Sequence, residues 1–217
     1  MNIGDLVTDS REHMKKDSIF IFDLDGTLID SADDIVESMQ QLYRETEREV
    51  PEKTVITAAI GNGVRTLIER TTNPPYEGLL EKFLPIYERE CLRQTKLYPD
   101  VKSTLEALPG KKTILSNKPE GLCHKIVRAL EIEAHFEEIF GGDSFSIRKP
   151  NPEVIQNILK RHPAERPILI GDSKVDVQTA LGAGIPVITV QYGYHKPGDL
   201  DSASMQIEEF SQLIELL

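Results

Sequence analysis

Short runs of apolar residues recur along the chain, and each one ends abruptly in polar residues. These runs predict β-strands at residues 18–22, 113–115, 168–170 and 187–190, with residues 136–140 as a further candidate. Apolar residues with helical spacing lie between the runs and predict helices at residues 101–108, 120–130, 152–160 and 175–183. Strands that alternate with helices form parallel sheets covered on both faces, because each parallel strand needs a crossover connection. The pattern therefore predicts an α/β fold.

The segment 31–97 interrupts this alternation, because it contains helical patterns and no convincing strand. Its apolar residues recur at helical spacing, as Ile35, Met39 and Leu42 illustrate. Pro85 is expected to kink or split the last of its helices. We expect an all-helical cap at residues 31–97, a discontinuous α/β core at residues 18–30 and 98–217, and an N-terminal extension at residues 1–17.

The composition is that of an ordinary folded protein, with 39% hydrophobic and 28% charged residues. No apolar stretch approaches the roughly 20 residues that a membrane helix needs. The first 17 residues also lack the apolar core of a signal peptide. Cys91 and Cys123 have no metal-binding spacing, so we expect both to be reduced packing residues. Together these features predict a cytoplasmic protein.

The net charge of -11 restricts the possible partners. Nucleic acid and anionic membrane surfaces would be repelled, so we expect neither as a partner. A site for a small anionic ligand would need to reverse the sign of the local field. A metal ion, a lysine and helix N-termini are the groups that could do so.

Two carboxylates follow the first predicted strand, in the segment Asp23-Leu24-Asp25-Gly26-Thr27. Side chains at positions i and i+2 of extended backbone point the same way, so Asp23 and Asp25 should face one cavity. Their mutual repulsion would be relieved by Mg²⁺, which prefers hard oxygen ligands. The alternative is a turn and helix cap in which Asp25 and Thr27 satisfy backbone N–H groups.

A second acidic cluster follows the strand predicted at residues 168–170. Asp172 is placed to complete a metal site, and Asp176, one helical turn later, could hold a nearby lysine. The alternative is a simple helix N-cap formed by Asp172 or Ser173. A second cluster of aspartates at a second strand end favours the metal-site interpretation.

Two further segments supply candidate phosphate ligands. Ser116 and Asn117 lie between a strand and a helix, where their side chains and backbone N–H groups could bind a phosphate, although a helix cap fits equally well. Lys149 lies in the stiff segment Lys149-Pro150-Asn151-Pro152 before a helix. Taken alone, it would be interpreted as a solvated surface lysine.

These four segments, in this order, resemble the motifs of the haloacid dehalogenase superfamily of phosphohydrolases. The resemblance covers about residues 18–193 and implies a Rossmann-like core with an inserted cap. It implies that Asp23 is the nucleophile and Asp25 the general acid and base. It further implies Mg²⁺ bound by the side chains of Asp23 and Asp172 and the backbone carbonyl of Asp25, with the phosphoryl oxygens held by Ser116, Asn117 and Lys149. Dehalogenases of the superfamily lack an acid at the position of Asp25.

A narrower resemblance, to phosphoglycolate phosphatases, rests on the segments at residues 60–65, 97–101, 116–119 and 184–194. It implies hydrolysis of 2-phosphoglycolate and a substrate-facing cap turn formed by Gly61, Asn62, Gly63 and Arg65. The glycines would let the backbone approach a ligand, and Arg65 could face its carboxylate. The alternative is a plain turn between two helices, with Arg65 in solvent.

Several functions remain open at this point. The leading expectation is a monomeric or homodimeric phosphatase for a small anionic phosphate ester. The rivals are the same chemistry on a nucleotide, a sugar phosphate or pyrophosphate, a phosphomutase, and a non-catalytic sensor of a phosphorylated ligand. The intact set of chemical groups in all four segments disfavours the sensor.

Overall fold

The computed structural model describes residues 17–216. Nearly all of the predicted extension, residues 1–17, lies outside the described residues. Within the described part of the chain, none of the helices has both the length and the apolar character that crossing a bilayer requires. Cys91 and Cys123 are buried and free, as expected of packing residues.

The described residues contain eight strands. They are β1 (Ser18–Phe22), β2 (Ile29–Asp30), β3 (Lys96–Leu97), β4 (Lys111–Leu115), β5 (Glu138–Phe140), β6 (Arg166–Gly171), β7 (Val187–Val190) and β8 (Met205–Ile207). Six of them form one parallel sheet in the order β5-β4-β1-β6-β7-β8. β1 is central, and its Phe22 pairs with Ile114 on one side and Ile170 on the other.

Eight α-helices connect and cover these strands in the described part of the chain. They are α1 (Ala32–Glu45), α2 (Lys53–Thr57), α3 (Val64–Thr71), α4 (Leu79–Glu90), α5 (Val101–Ala107), α6 (Glu120–Ala129), α7 (Glu153–Arg161) and α8 (Lys174–Ala183). Short 3₁₀ helices occur at Glu133–His135 and Phe210–Ile214.

The alternation of side chains along β1 explains how the sheet is covered on both faces. Phe20 and Phe22 belong to one hydrophobic core, and Ile19 and Ile21 belong to a second. All five residues of β1 are buried. Successive side chains of a strand point to opposite faces, so a central strand with two apolar faces requires helices on each side. The expected α/β fold is therefore confirmed.

Four helices, α1 to α4, lie between β2 and β3 and form the inserted helical block. The expectation that residues 31–97 contain no strand needs one correction, because Lys96–Leu97 forms β3 and pairs antiparallel with β2. The Asp34 carboxylate holds the segment before β3 next to the start of the inserted helices, because it accepts hydrogen bonds from the backbone N–H groups of Gln94 and Thr95. The exact division into cap and core stays a prediction.

The expected split of the last cap helix at Pro85 does not occur. Helix α4 runs continuously from Leu79 to Glu90 with Pro85 inside it. Buried Phe83, Ile86 and Tyr87 anchor the helix on both sides of the proline. Tertiary packing of this kind offsets the cost of one missing backbone hydrogen bond.

Candidate active site

The predicted site residues follow the carboxyl ends of three adjacent strands: Asp23 and Asp25 after β1, Ser116 and Asn117 after β4, and Asp172 after β6. In parallel α/β sheets these ends form the crevice in which ligands bind. The central position of β1 brings the side chains from three separate segments to one edge of the sheet.

Lys149 contacts two of the predicted carboxylates. Its Nζ lies 3.0 Å from Asp23 Oδ1 and 2.6 Å from Asp176 Oδ1. All three residues are buried. Burial opposes the charge of Lys149, yet the carboxylates of Asp176 and Asp23 outweigh it and raise the pKa of the lysine. Lys149 is therefore a buried cation beside Asp23 and not a solvated surface residue.

Asp176 is fixed at the start of α8. Its Oδ2 accepts hydrogen bonds from the Ser173 backbone N–H at 3.1 Å and from Ser173 Oγ at 2.6 Å. Ser173 and Asp176 together form a capping box at this helix N-terminus. The helix cap at Ser173 and the contact between Asp176 and a lysine thus occur together, because the two oxygens of Asp176 have different partners.

Three buried carboxylates, those of Asp23, Asp172 and Asp176, have oxygens that all lie within 4.8 Å of one another. Burial raises the pKa of Asp23 to about 7, while Lys149 opposes the shift and Asp176 adds to it. Burial and the charges of Asp176 and Asp23 raise the pKa of Asp172 well above its usual range. Crowded carboxylates of this kind fit a cation with a preference for hard oxygen ligands. Since Asp176 already serves Lys149 and Ser173, Asp23 and Asp172 are the side chains suited to hold it.

Glycines allow the backbone to close around Asp172. Gly26 has a φ of +85°, and a Cβ atom there would lie 2.3 Å from Asp172 Oδ2. A Cβ atom at Gly193 would lie 2.3 Å from Asp172 Cβ. Any larger residue at either position would displace the carboxylate, so both glycines are required for its placement.

The loop after β7 also fixes the position of the Asp172 carboxylate. The backbone N–H of Tyr194 donates to Asp172 Oδ2 at 2.6 Å. The phenol oxygen of Tyr194 accepts from the Ser31 N–H at 2.8 Å and donates to Asp30 Oδ1 at 3.2 Å. Sequence reasoning missed this role, because Tyr194 is 163 positions from Ser31 and no local pattern links the two.

Asp25 lies in a hydrogen-bonded group that includes a cap residue. Its Oδ1 accepts from Ser31 Oγ and lies 2.7 Å from Lys118 Nζ. Lys118 Nζ also donates to the phenol oxygen of Tyr87, which belongs to α4. Lys118 directly follows Ser116 and Asn117 in the sequence, but no feature of the sequence pairs it with Asp25 or Tyr87.

Ser116 and Asn117 lie at the same edge of the sheet. The buried Ser116 Oγ accepts a hydrogen bond from the Lys118 N–H at 3.3 Å. Asn117 Nδ2 donates to the carbonyl oxygens of Gly61 and Lys149, each at 3.1 Å. Its Oδ1 is buried and has no hydrogen-bond partner among the described residues. The Asn117 amide therefore joins the cap turn to the Lys149 segment.

A cavity of about 40 Å³ lies between the sheet edge and the cap. The core contributes polar lining residues: Asp23, Asp25, Ser116, Asn117 and Lys118. The cap contributes mainly apolar ones: Ile35, Ile60, Gly61, Gly63, Val64, Leu67, Phe83 and Tyr87. Of the four expected cap residues, Gly61 and Gly63 line the cavity, whereas Asn62 and the exposed Arg65 do not.

Comparisons with known proteins agree with this arrangement. A family model described as haloacid dehalogenase-like hydrolase matches residues 20–190. A phosphoglycolate phosphatase of Aquifex aeolicus is 36% identical over 185 residues, which cover 82% of this chain and 86% of that protein. A phosphoglycolate phosphatase of Pseudomonas syringae pv. syringae is 30% identical over 216 residues, covering 92% of this chain and 79% of that protein.

A solved structure has the same overall arrangement. The crystal structure of a predicted phosphoglycolate phosphatase from Haemophilus somnus 129pt matches with a TM-score of 0.86 and 25% identity. The match covers 93% of this chain and 98% of that one. The similarity therefore extends over both the parallel sheet and the helices inserted between β2 and β3.

Proposed function

The chain belongs to the haloacid dehalogenase-like hydrolases, and from this premise we propose that it is a Mg²⁺-dependent phosphatase that hydrolyses 2-phosphoglycolate to glycolate and phosphate. The observation that carries the proposal is the position of Asp23. Its side chain is shielded from bulk solvent, is paired with Lys149 and lines the same cavity as Asp25. The relatives named phosphoglycolate phosphatase support the choice of substrate.

The proposed reaction has two displacements at phosphorus. The Asp23 carboxylate attacks the phosphorus atom in line, and the bond between phosphorus and the ester oxygen breaks. Asp25, protonated at the start, gives its proton to the departing alkoxide. Asp25 then takes a proton from the water that attacks the aspartyl-phosphate, which releases phosphate and restores Asp23. One difficult displacement is thereby divided into two easier ones.

The surrounding residues neutralise and position the phosphoryl group. Lys149 offers a positive charge at Asp23, and Asp176 holds the lysine in place. Ser116 and Asn117 lie at the adjacent strand end, where the Ser116 hydroxyl and the Asn117 backbone N–H are the groups proposed to donate to the phosphoryl oxygens. Phosphoryl transfer depends mainly on such positioning and charge neutralisation.

The proposed metal ligands are the side chains of Asp23 and Asp172 and the backbone carbonyl of Asp25. The crowding of buried carboxylates supports this choice: oxygens of Asp23 and Asp172 lie within 4.8 Å of each other, and a divalent cation would relieve the repulsion between their ionised forms. When bound, Mg²⁺ supplies electrostatic stabilisation of the negative charge on the phosphoryl oxygens.

The small cavity favours a compact substrate. A space of about 40 Å³ under an apolar cap fits a short leaving group better than a nucleoside or a hexose. The apolar cap side chains Ile35, Leu67 and Phe83 line the cavity together with Asp25, and apolar side chains disfavour water around a bound leaving group. A cap that encloses the leaving group also limits access for larger esters.

A substrate panel tests the proposal. Phosphate release would be measured with Mg²⁺ for 2-phosphoglycolate, glycerol 3-phosphate, glucose 6-phosphate, a nucleoside monophosphate and pyrophosphate. We expect kcat/KM for 2-phosphoglycolate to exceed the others by at least about tenfold, and EDTA to abolish activity. Equal or higher values for another ester would remove 2-phosphoglycolate as the substrate. Isomerisation of a sugar phosphate without phosphate release would indicate a phosphomutase instead.

A further inference from the structure

The wall of the cavity next to Asp25 carries a buried cation that the reaction steps above do not use. Lys118 is 6% exposed, and its Nζ lies 2.7 Å from Asp25 Oδ1. The Lys118 Nζ also lies 4.6 Å from the centre of the Tyr87 ring and donates to the Tyr87 oxygen. Among the lining residues in the described part of the chain, Lys118 is the one cationic side chain.

The position of Asp25 indicates where the leaving group lies. A general acid must be within hydrogen-bond reach of the oxygen that it protonates. The alcohol part of the substrate therefore lies on the Asp25 side of the phosphorus atom, and Lys149 lies on the Asp23 side. Lys118 contacts Asp25 directly, so the part of the leaving group beyond the ester oxygen is adjacent to Lys118.

We propose that Lys118 and Tyr87 form the subsite that binds the carboxylate of the leaving group, which makes them the residues that select a short, anionic alcohol. This inference rests on the proposed function, and it identifies Lys118 and Tyr87 as the residues that determine substrate specificity. In a 2-hydroxy acid ester the carboxyl carbon lies about 2.5 Å from the ester oxygen, two covalent bonds away. A carboxylate so close to the Asp25 contact is within reach of Lys118 Nζ.

The surroundings of Lys118 support this assignment. Its ammonium group lines the cavity beside Asp25, where the leaving group is placed. The surrounding cap residues, including Ile35, Leu67 and Phe83, are apolar, and an ion pair is stronger in such surroundings than in water. Arg65, the cation that the sequence suggested for this task, is exposed and does not line the cavity.

Tyr87 is suited to share the carboxylate. Its ring stacks on Phe83 with centroids 5.5 Å apart and an angle of 15° between the planes, which fixes the direction of the hydroxyl group. Burial raises the pKa of Tyr87, so the phenol keeps its proton and can donate a hydrogen bond. Because Tyr87 belongs to α4, the subsite is complete only when the cap lies against the core.

Two esters that differ in one group test the subsite. In 2-hydroxyethyl phosphate, the carboxylate of 2-phosphoglycolate is replaced by a hydroxymethyl group while the phosphate ester is unchanged. We expect the wild-type protein to favour 2-phosphoglycolate in kcat/KM, and Lys118→Met to reduce this preference at least about 100-fold, mainly through KM. Lys82→Met, which removes an exposed lysine on α4, is the matched control and should keep the preference.

Two further variants keep the test decisive if Lys118→Met fails to fold. Lys118→Arg retains the charge and should retain most of the preference, whereas Tyr87→Phe should reduce it about tenfold. An unchanged preference in Tyr87→Phe and Lys118→Met would overturn the inference. So would an equal fall in kcat for both esters, since that result would show Lys118 acting only on Asp25.

The outcomes also separate this inference from the proposed function. A wild-type protein with no preference for 2-phosphoglycolate over 2-hydroxyethyl phosphate would contradict the proposed substrate itself. A wild-type preference that survives in Lys118→Met and disappears in Arg65→Ala would leave the proposed function intact and assign the carboxylate to Arg65.

Discussion

The backbone N–H of Tyr194 donates to Asp172 Oδ2 across 2.6 Å, so the loop after β7 fixes a carboxylate that follows β6. The phenol group of the same tyrosine bonds to Ser31 and Asp30, where the chain leaves the core for the cap. One residue thus connects the proposed metal site to the base of the cap.

Tyr194→Phe should separate these two roles. The variant keeps the backbone bond to Asp172 and loses the phenol bonds to Ser31 and Asp30, which leaves the Ser31 N–H without its partner. We expect a loss of about 1 kcal/mol in the free energy of unfolding, measured by urea denaturation. Tyr76→Phe, in the loop before α4, is the control and should change it by less than about 0.5 kcal/mol. Equal stability of Tyr194→Phe and wild type would show that the phenol bonds contribute nothing.

Gly26→Ala should disrupt the acidic cluster. The new Cβ atom would lie 2.3 Å from Asp172 Oδ2, at a backbone φ of +85° that alanine disfavours. We expect a loss of about 2 kcal/mol or more in stability and a fall in Mg²⁺ affinity, measured by urea denaturation and calorimetry.

Gly121→Ala is the matched control for this substitution. Gly121 lies in α6 and is exposed, and a Cβ atom added there would meet no other atom within 4 Å. Alanine in a helix is favoured over glycine, so this variant should gain about 0.5 to 1 kcal/mol. A loss of stability in Gly121→Ala as large as that in Gly26→Ala would contradict the steric explanation.

Asp176→Asn should destabilise the protein more than the loss of a surface ion pair does. The substitution removes a charge 2.6 Å from Lys149 Nζ, where both residues are buried. We expect a loss of about 3 kcal/mol in the free energy of unfolding, because a buried lysine is left with only Asp23 as its charged partner. Asp33→Asn breaks the exposed pair with Lys53 and should cost less than about 1 kcal/mol. Similar losses in the two variants would argue against a buried Lys149 charge.

The pH dependence of stability should reveal the carboxyl group of Asp23. In protein freed of divalent cations, its pKa is raised from the ordinary 3.8 to about 7, chiefly by burial. Between these values the folded state holds a proton that the unfolded chain has released, so the contribution of Asp23 to stability falls as the pH rises from about 4 to 7. The raised pKa of Asp172 acts in the same direction.

This pH effect can be isolated by comparing wild type with Asp23→Asn. Urea unfolding at pH 5 and pH 7.5 in EDTA should show that stability falls more steeply with pH in the wild type than in the variant. Saturating Mg²⁺ should reduce the fall in the wild type, because a cation favours the ionised carboxylate. Identical pH profiles for the two proteins in EDTA would contradict a raised pKa at Asp23.

Much of the fold could be predicted from local patterns. The buried apolar run at β1 has two apolar faces, which only a central strand of a covered sheet requires. The sequence does not predict β8, because Met205 and Gln206 are exposed at the edge of the sheet and the segment contains no apolar run. β2 and β3 have two residues each, too few for a periodic signal.

The site also contains residues that local patterns predict and contacts that they do not. Asp23, Asp25 and Asp172 directly follow strands that are predicted to be parallel. The carboxyl ends of parallel strands lie at one edge of the sheet, so the sequence indicates that these residues share that edge. The pairing of Lys118 with Tyr87 depends instead on how the cap packs on the core, which no local pattern encodes. Cap packing also decides the position of Arg65. At the start of α3, Val64 lines the cavity, whereas Arg65 is exposed and does not.

The most direct test of the account is phosphate release from 2-phosphoglycolate by purified Asp23→Asn in saturating Mg²⁺, with Asp33→Asn as a control for substitution and purification. If Asp23 is the nucleophile, a folded Asp23→Asn protein should lose at least about 10³-fold in kcat, while Asp33→Asn stays near the wild-type value. Phosphate release by folded Asp23→Asn at a rate close to wild type would contradict the assignment of Asp23 as the nucleophile.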